Sequence, residues 1–234
     1  MHVVRANISH FRSYFTIVSL FSCIFSTAQE ISVVSEFKTY KKIVENDSLQ
    51  RMVPLNSYVP TAIVDLRYAT SQNFTGHQLY KKEKTTYLRL TVANALSKVQ
   101  NELAGAGYSL KIWDAYRPYS VTKKMWDLIG DERYVANPAK GSGHSRGLAI
   151  DLTLVKDGKE VSMGTGFDNF SDSAHHGFTQ LPADVLQNRK LLKTTMEKYG
   201  FHALDTEWWH YSWPNDRGYE VLDLSFKDLR KTVH

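Results

Sequence analysis

The sequence predicts one α+β domain, a small antiparallel sheet with flanking helices. Three observations predict it. Two segments with helical spacing of apolar residues stand far apart, at 91–104 and 182–200. Short strand-like stretches lie between and after them, one closed by a hairpin-turn signal. No internal repeat, and no Pro/Gly/Ser linker within 29–234, divides the chain, and 234 residues suffice for one domain with a substantial core.

The elements follow in order. Tyr58–Tyr68 (YVPTAIVDLRY) reads as a lead-in strand, and the loop-like ATSQNFTGHQLY follows, with Asn, Thr and Gly as turn formers. Thr91–Ala104 carries Val92, Ala95, Leu96, Val99 and Leu103 at helical spacing, and Gly105 and Gly107 stop it. Tyr108–Tyr116 alternates as a strand that Pro118 ends, and SVTKKMWDLIG reads as a helix stopped by Gly130. Residues 131–147 read as loop, Leu148–Leu154 as a strand, and Asp157–Lys159 (DGK) as a hairpin turn. A second loop covers 162–180. Pro182–Gly200 is a helix with Pro early and Gly at its end, and Glu207–Trp213 is rich in strand formers.

The first 28 residues differ from the rest. Arg5 and Arg12 give a basic start, an apolar run of about 11 residues spans Phe15–Phe25, and Ser26-Thr27-Ala28 supplies the small residues of a cut before Gln29. This is the pattern of a secretory signal peptide, and the run falls short of the roughly 20 residues that span a bilayer. Lipidation at Cys23, the only cysteine, is the minor alternative. Residues 29–52 are polar and weakly patterned, a spacer or N-terminal strap, which leaves 53–234 as the main domain. Without the leader the formal charge falls from +5 to +3, and no dense basic run stands outside Lys81–Lys84, so nucleic-acid binding is not expected. An exported chain without structural cysteines relies on its core, a metal, or both.

The chemistry concentrates in two stretches. In GSGHSRGLAIDLTL (Gly141–Leu154), Leu148, Ile150, Leu152 and Leu154 share one strand face, and Ala149, Asp151 and Thr153 the other. An Asp in the middle of an apolar strand is costly unless it meets a cation. His144 stands seven residues earlier, a span of about 23 Å if extended, and Gly147 gives the chain the freedom to fold back. An imidazole and a carboxylate then meet at bonding distance for zinc. EWWH adds Glu207 and His210, a further ligand and a base. His175, His176 and His202 compete as ligands on spacing alone.

Ser-x-His-x6-Asp followed by Glu-x-x-His resembles the zinc D-alanyl-D-alanine dipeptidases of the VanX type, within the wider group of lysostaphin-like and D,D-carboxypeptidase metalloenzymes and the Hedgehog signalling domain. The resemblance spans roughly residues 55–225 and includes YATSQNFTG, WDAYRP, MGTGFD, SAHH, QNRKLLKTTMEKYGF and EWWHY in family order. It implies that His144, Asp151 and His210 bind one Zn²⁺ per chain, that Glu207 is general base and then acid, and that Arg117 stabilises the oxyanion. It places Tyr68, Ser142 and Asp168 at the substrate pocket, Asp168 facing the substrate ammonium. His175 and His176 become outer-shell or pocket-wall residues, and Arg146 a brace for the loop. The implied partner is a small D,D-dipeptide. A wall-peptide carboxypeptidase or endopeptidase of the same fold, or a non-catalytic zinc module, is the alternative. Many relatives act in the cytoplasm, so the leader and the residues before Val53 depart from the pattern.

Overall fold

The structure, a computed structural model, describes residues 31–231, so the expected leader and Cys23 lie outside the described residues. Residues from Ile31 onward form one compact unit. Its centre is a six-stranded sheet of order β3-β5-β6-β9-β8, with β7 pairing beside β9 on the same edge of β6. The strands are β3 (Ile63–Val64), β5 (Tyr108–Asp114), β6 (Ala149–Lys156), β7 (Lys159–Glu160), β8 (His202–Leu204) and β9 (Glu207–Ser212). All pairings are antiparallel except β3 with β5. The α+β expectation holds.

Two helices cover one face, α2 (Leu90–Gly105) and α5 (Ala183–Lys198). Val92, Leu96 and Val99 of α2 and Leu192 and Met196 of α5 share one buried cluster with Leu110, Ile112, Ile150, Leu152 and Leu154. Full burial of each such side chain contributes about 1.5–3 kcal/mol. β6 is the innermost strand, buried on both faces from Ala149 to Val155. The face opposite the helices carries Asp151 and Thr153 and is roofed by α3 (Tyr119–Ile129) and by loops around residues 65–80, 131–142 and 162–174.

Three expectations change. The lead-in strand shrinks to Ile63–Val64, because Tyr58 closes one 3-10 turn and Arg67–Ala69 form another that buries Tyr68. Residues 31–52 are strap rather than spacer. β1 (Val33–Val34) pairs with β10 (Val221–Leu222), and α1 (Phe37–Asn46) buries Tyr40, whose hydroxyl accepts from Met52 N at 2.7 Å. The boundary at residue 53 is therefore not a structural one. The stretch read as loop at 131–147 contains one helical turn, α4 (Gly143–Arg146). Short elements also went unread: β2 (Met52–Pro54) pairs with β4 (Tyr87–Arg89), and α6 (Phe226–Arg230) closes a second apolar cluster with Tyr40, Met52 and Tyr116. Among the described residues no helix is long and apolar enough to cross a membrane.

Candidate active site

The fold-back between His144 and Asp151 is the turn α4. Ser142 caps its start, its Oγ accepting from His144 N at 3.2 Å. Gly147 ends it in the left-handed region at φ 71°. A Cβ there would lie 2.5 Å from Met52 Sδ, so the position demands glycine for both conformation and space. Arg89, fully buried, locks the turn from below. Its guanidinium donates to the carbonyls of Gln50, Arg146 (2.7 Å) and Glu220 (2.9 Å). Arg146 donates to Tyr219 O and so braces the loop as expected.

The turn delivers the His144 ring to β6. His144 Nδ1 donates to Ala115 O at 2.8 Å, which leaves the Nε2 lone pair free. Nε2 lies 3.4 Å from Asp151 Oδ2 and 3.3 Å from His210 Nδ1, and that nitrogen lies 2.8 Å from Asp151 Oδ1. His210 arrives because β9 pairs with β6 in the register that sets Asp151 opposite His210. Ligand atoms around a tetrahedral zinc at about 2.0–2.1 Å are roughly 3.3 Å apart. The two ring nitrogens and the Asp151 oxygens lie 2.8–3.4 Å from one another, near that spacing, and each can offer a lone pair, so these residues fit a zinc ion. They form the one metal-competent cluster among the described residues. His175, His176 and His202 are not part of it, nor do they line the cavity beside it. His176 instead packs its ring against Tyr211, which corrects the pocket-wall expectation.

That cavity measures about 200 Å³. Arg117, Tyr68, Ser142, Asp168 and Glu207 all line it together with the three ligand residues. A larger cavity of about 470 Å³ lies beyond Asp168 but contains none of the three ligands, and the chemistry therefore favours the smaller one. Tyr68 OH donates to Asp168 at 2.9 and 3.1 Å, and Asp168 sits at φ 57°, strained for a non-glycine residue. The Arg117 guanidinium lies over the Tyr68 ring at 5.2 Å. Sequence reasoning missed the outer wall, built by residues 132–136 and Leu204, because a loop's position over a sheet leaves no periodic signal.

The electrostatics follow from burial. Burial pushes Glu207 up to about 7, with the Asp151 charge adding and His210 opposing. Burial and then Asp151 also drive Asp168 well above the ordinary carboxylate range. Burial disfavours a charged Asp151, but His144 and His210 outweigh it and hold the carboxyl below its ordinary value. For His210 burial is likewise outweighed, here by the Asp151 hydrogen bond, and its value is raised. Arg117 is desolvated, yet Asp114 beside it and then Tyr68 raise it on balance.

Residues 48–230 match the family model described as D-Ala-D-Ala dipeptidase, within peptidase family M15. The chain belongs to that family. A D-alanyl-D-alanine dipeptidase of Escherichia coli (strain K12) is 35% identical over 176 residues, 75% of this chain and 91% of that protein. One of Enterococcus faecalis (strain ATCC 700802 / V583) is 37% identical over 168 residues, 63% of this chain and 83% of that protein. Among solved structures, that of the LdcB LD-carboxypeptidase aligns over 66% of this chain and 73% of its own, at 24% identity and a TM-score of 0.40. The M15 match begins inside the strap, before β2.

Proposed function

We propose that this chain is a zinc metallopeptidase that hydrolyses D-Ala-D-Ala to free D-alanine. The observation that carries the reading is the convergence of His144, Asp151 and His210 with Glu207 and Arg117 on one small cavity. A binding module needs the metal cluster but neither a further, half-buried carboxylate nor a buried guanidinium beside it. Family membership and the names of the relatives support the substrate.

His144, Asp151 and His210 would hold the zinc, which when bound supplies a Lewis acid for the scissile carbonyl and acidifies a water. Glu207 takes the proton of the attacking water and passes it to the leaving amine, a task suited to a carboxyl that burial pushes up to about 7. Arg117 faces the negative charge that develops on the carbonyl oxygen and acts mainly in the transition state. Asp168, oriented by Tyr68, faces the substrate ammonium, whose charge would offset the burial that raises this carboxyl, and Ser142 lines the same cavity. A cavity of about 200 Å³ suits a dipeptide better than a wall polymer.

The deciding experiment is turnover of zinc-loaded protein on D-Ala-D-Ala, L-Ala-L-Ala and a wall pentapeptide. Preferential release of D-alanine from the first is expected. Faster cleavage of the pentapeptide would replace the dipeptidase reading with a carboxypeptidase one, and no cleavage of any would leave a binding module.

The basic start, apolar run and small residues at 26–28 further support export of the protein. Outside the cytoplasm it would meet D,D-dipeptides as wall fragments or nutrients, so the role we propose is scavenging or recycling of D-alanine. Fractionation of the native host should find a chain starting near Gln29 in the periplasm or medium. A soluble cytoplasmic chain beginning at Met1 would overturn both export and role.

A further inference from the structure

Asp114 is the most deeply buried charge of the site and has no part in the reaction described above. Its position depends on a defect in the sheet. Along β5 and β6, Leu110 faces Leu154 and Ile112 faces Leu152, but Asp114 rather than Trp113 faces Asp151. Trp113 is the extra residue of a β-bulge, a device that re-aims side chains beside active sites. The bulge sets Asp114 next to Asp151, and two carboxylates buried on adjacent strands repel unless cations lie with them.

A cation and a ring N–H are at hand. Asp114 Oδ2 lies 3.3 Å from Arg117 Nη1 and 3.4 Å from His144 Nδ1. Oδ1 accepts from Tyr80 OH at 3.3 Å. Asp114 is 0% exposed and Arg117 6%, so water screens neither. The main chain joins the same pair, with Arg117 N donating to His144 O at 3.3 Å. The guanidinium is thus held between the Tyr68 ring and the Asp114 carboxylate. His144 Nδ1, which donates to Ala115 O, lies beside the same carboxylate, and Nε2 faces Asp151.

We propose that Asp114 is a positioning residue that binds Arg117 and His144 into one unit, fixing the oxyanion-facing guanidinium relative to the metal ligands. This rests on the reading of Arg117 as the group that meets the oxyanion. Asp114 does not line the cavity, so it acts through these two partners.

The test uses the zinc-loaded full-domain protein with Asp114→Asn, Arg117→Ala and the double variant. Asp114→Asn should lower kcat about 10–100-fold with KM within about threefold, and weaken zinc about tenfold in a chelator competition. The double variant should turn over within about threefold of Arg117→Ala alone, because the two act as a unit. Values of kcat and zinc affinity within twofold of the parent, or losses that multiply in the double variant, would overturn the proposal. If Asp114→Asn does not fold, Tyr80→Phe decides: a kcat loss at unchanged KM supports the proposal and parental kcat overturns it. A parental kcat in Arg117→Ala would instead sink the reading of Arg117 on which this rests.

Discussion

Glu207 and Arg117 line the same cavity, and the proposed roles have them act at different moments, so single substitutions should separate them. Glu207→Gln keeps the size of the side chain and removes the base. We expect full zinc content, an unchanged melting temperature and a kcat lower by about 10²–10⁴-fold, measured by metal analysis and steady-state kinetics. Near-normal turnover would reduce the cluster to a structural metal. Arg117→Ala should lower kcat more than it raises KM, since its charge is needed only as the carbonyl oxygen becomes negative. The candidate residues themselves were legible in the chain: His144, Asp151, Glu207 and His210 stand in short motifs whose spacing is part of the chemistry. Asp114 sits in plain view three residues before Arg117, yet only the bulge at Trp113 aims it at the site, and a bulge leaves no mark in an alternating pattern.

At the scale of elements, the turn α4 decides whether the ligands meet. Gly147→Ala places a methyl against Met52 Sδ at a position with φ 71°. We expect a loss of roughly 1–3 kcal/mol of stability by urea unfolding and weaker zinc retention, because the turn carries His144. An unchanged unfolding midpoint would contradict the strained geometry. α5 and β9 supply a second test through His176, which lies against Tyr211. Burial lowers its value to about 4, with Lys193 and Arg189 adding to the shift. A histidine that resists protonation in the fold stabilises above its unfolded value of about 6.5 and loses that contribution as pH falls toward 4. His176→Gln should therefore show a flatter decline in stability than the parent between about pH 6.5 and 4. Parallel declines in the two proteins would count against burial as the cause. The pairing behind this, β8 beside β9, was missed because a three-residue strand is too short to show alternation.

For the whole molecule, zinc and folding should be linked. The ligands come from α4, β6 and β9, so a metal held only by the folded arrangement stabilises it by mass action, about 4 kcal/mol at a thousandfold excess over its dissociation constant. Chelation should lower the melting temperature by several degrees, and added zinc should restore it. Neither change should occur in His144→Ala or His210→Ala. An apoprotein that melts with the loaded one would mean that zinc binds elsewhere or not tightly.

The sequence by itself determined the α+β class, the two long helices and the central strand, and its family resemblance singled out the candidate ligand, base and oxyanion residues. Each of those rests on local information: apolar periodicity, glycine and proline punctuation, or a motif with fixed internal spacing. Only the tertiary structure decided that the strap at 31–52 is part of the domain, because two residues pairing with β10 and one buried tyrosine are contacts between distant parts of the chain. It also decided that Tyr68, Arg117, Asp168 and Glu207 face a single cavity, and that His175, His176 and His202 do not. Those outcomes depend on strand register and loop docking. A register is a choice between chain segments far apart in sequence, fixed by which pairing buries the most apolar surface while satisfying the buried charges.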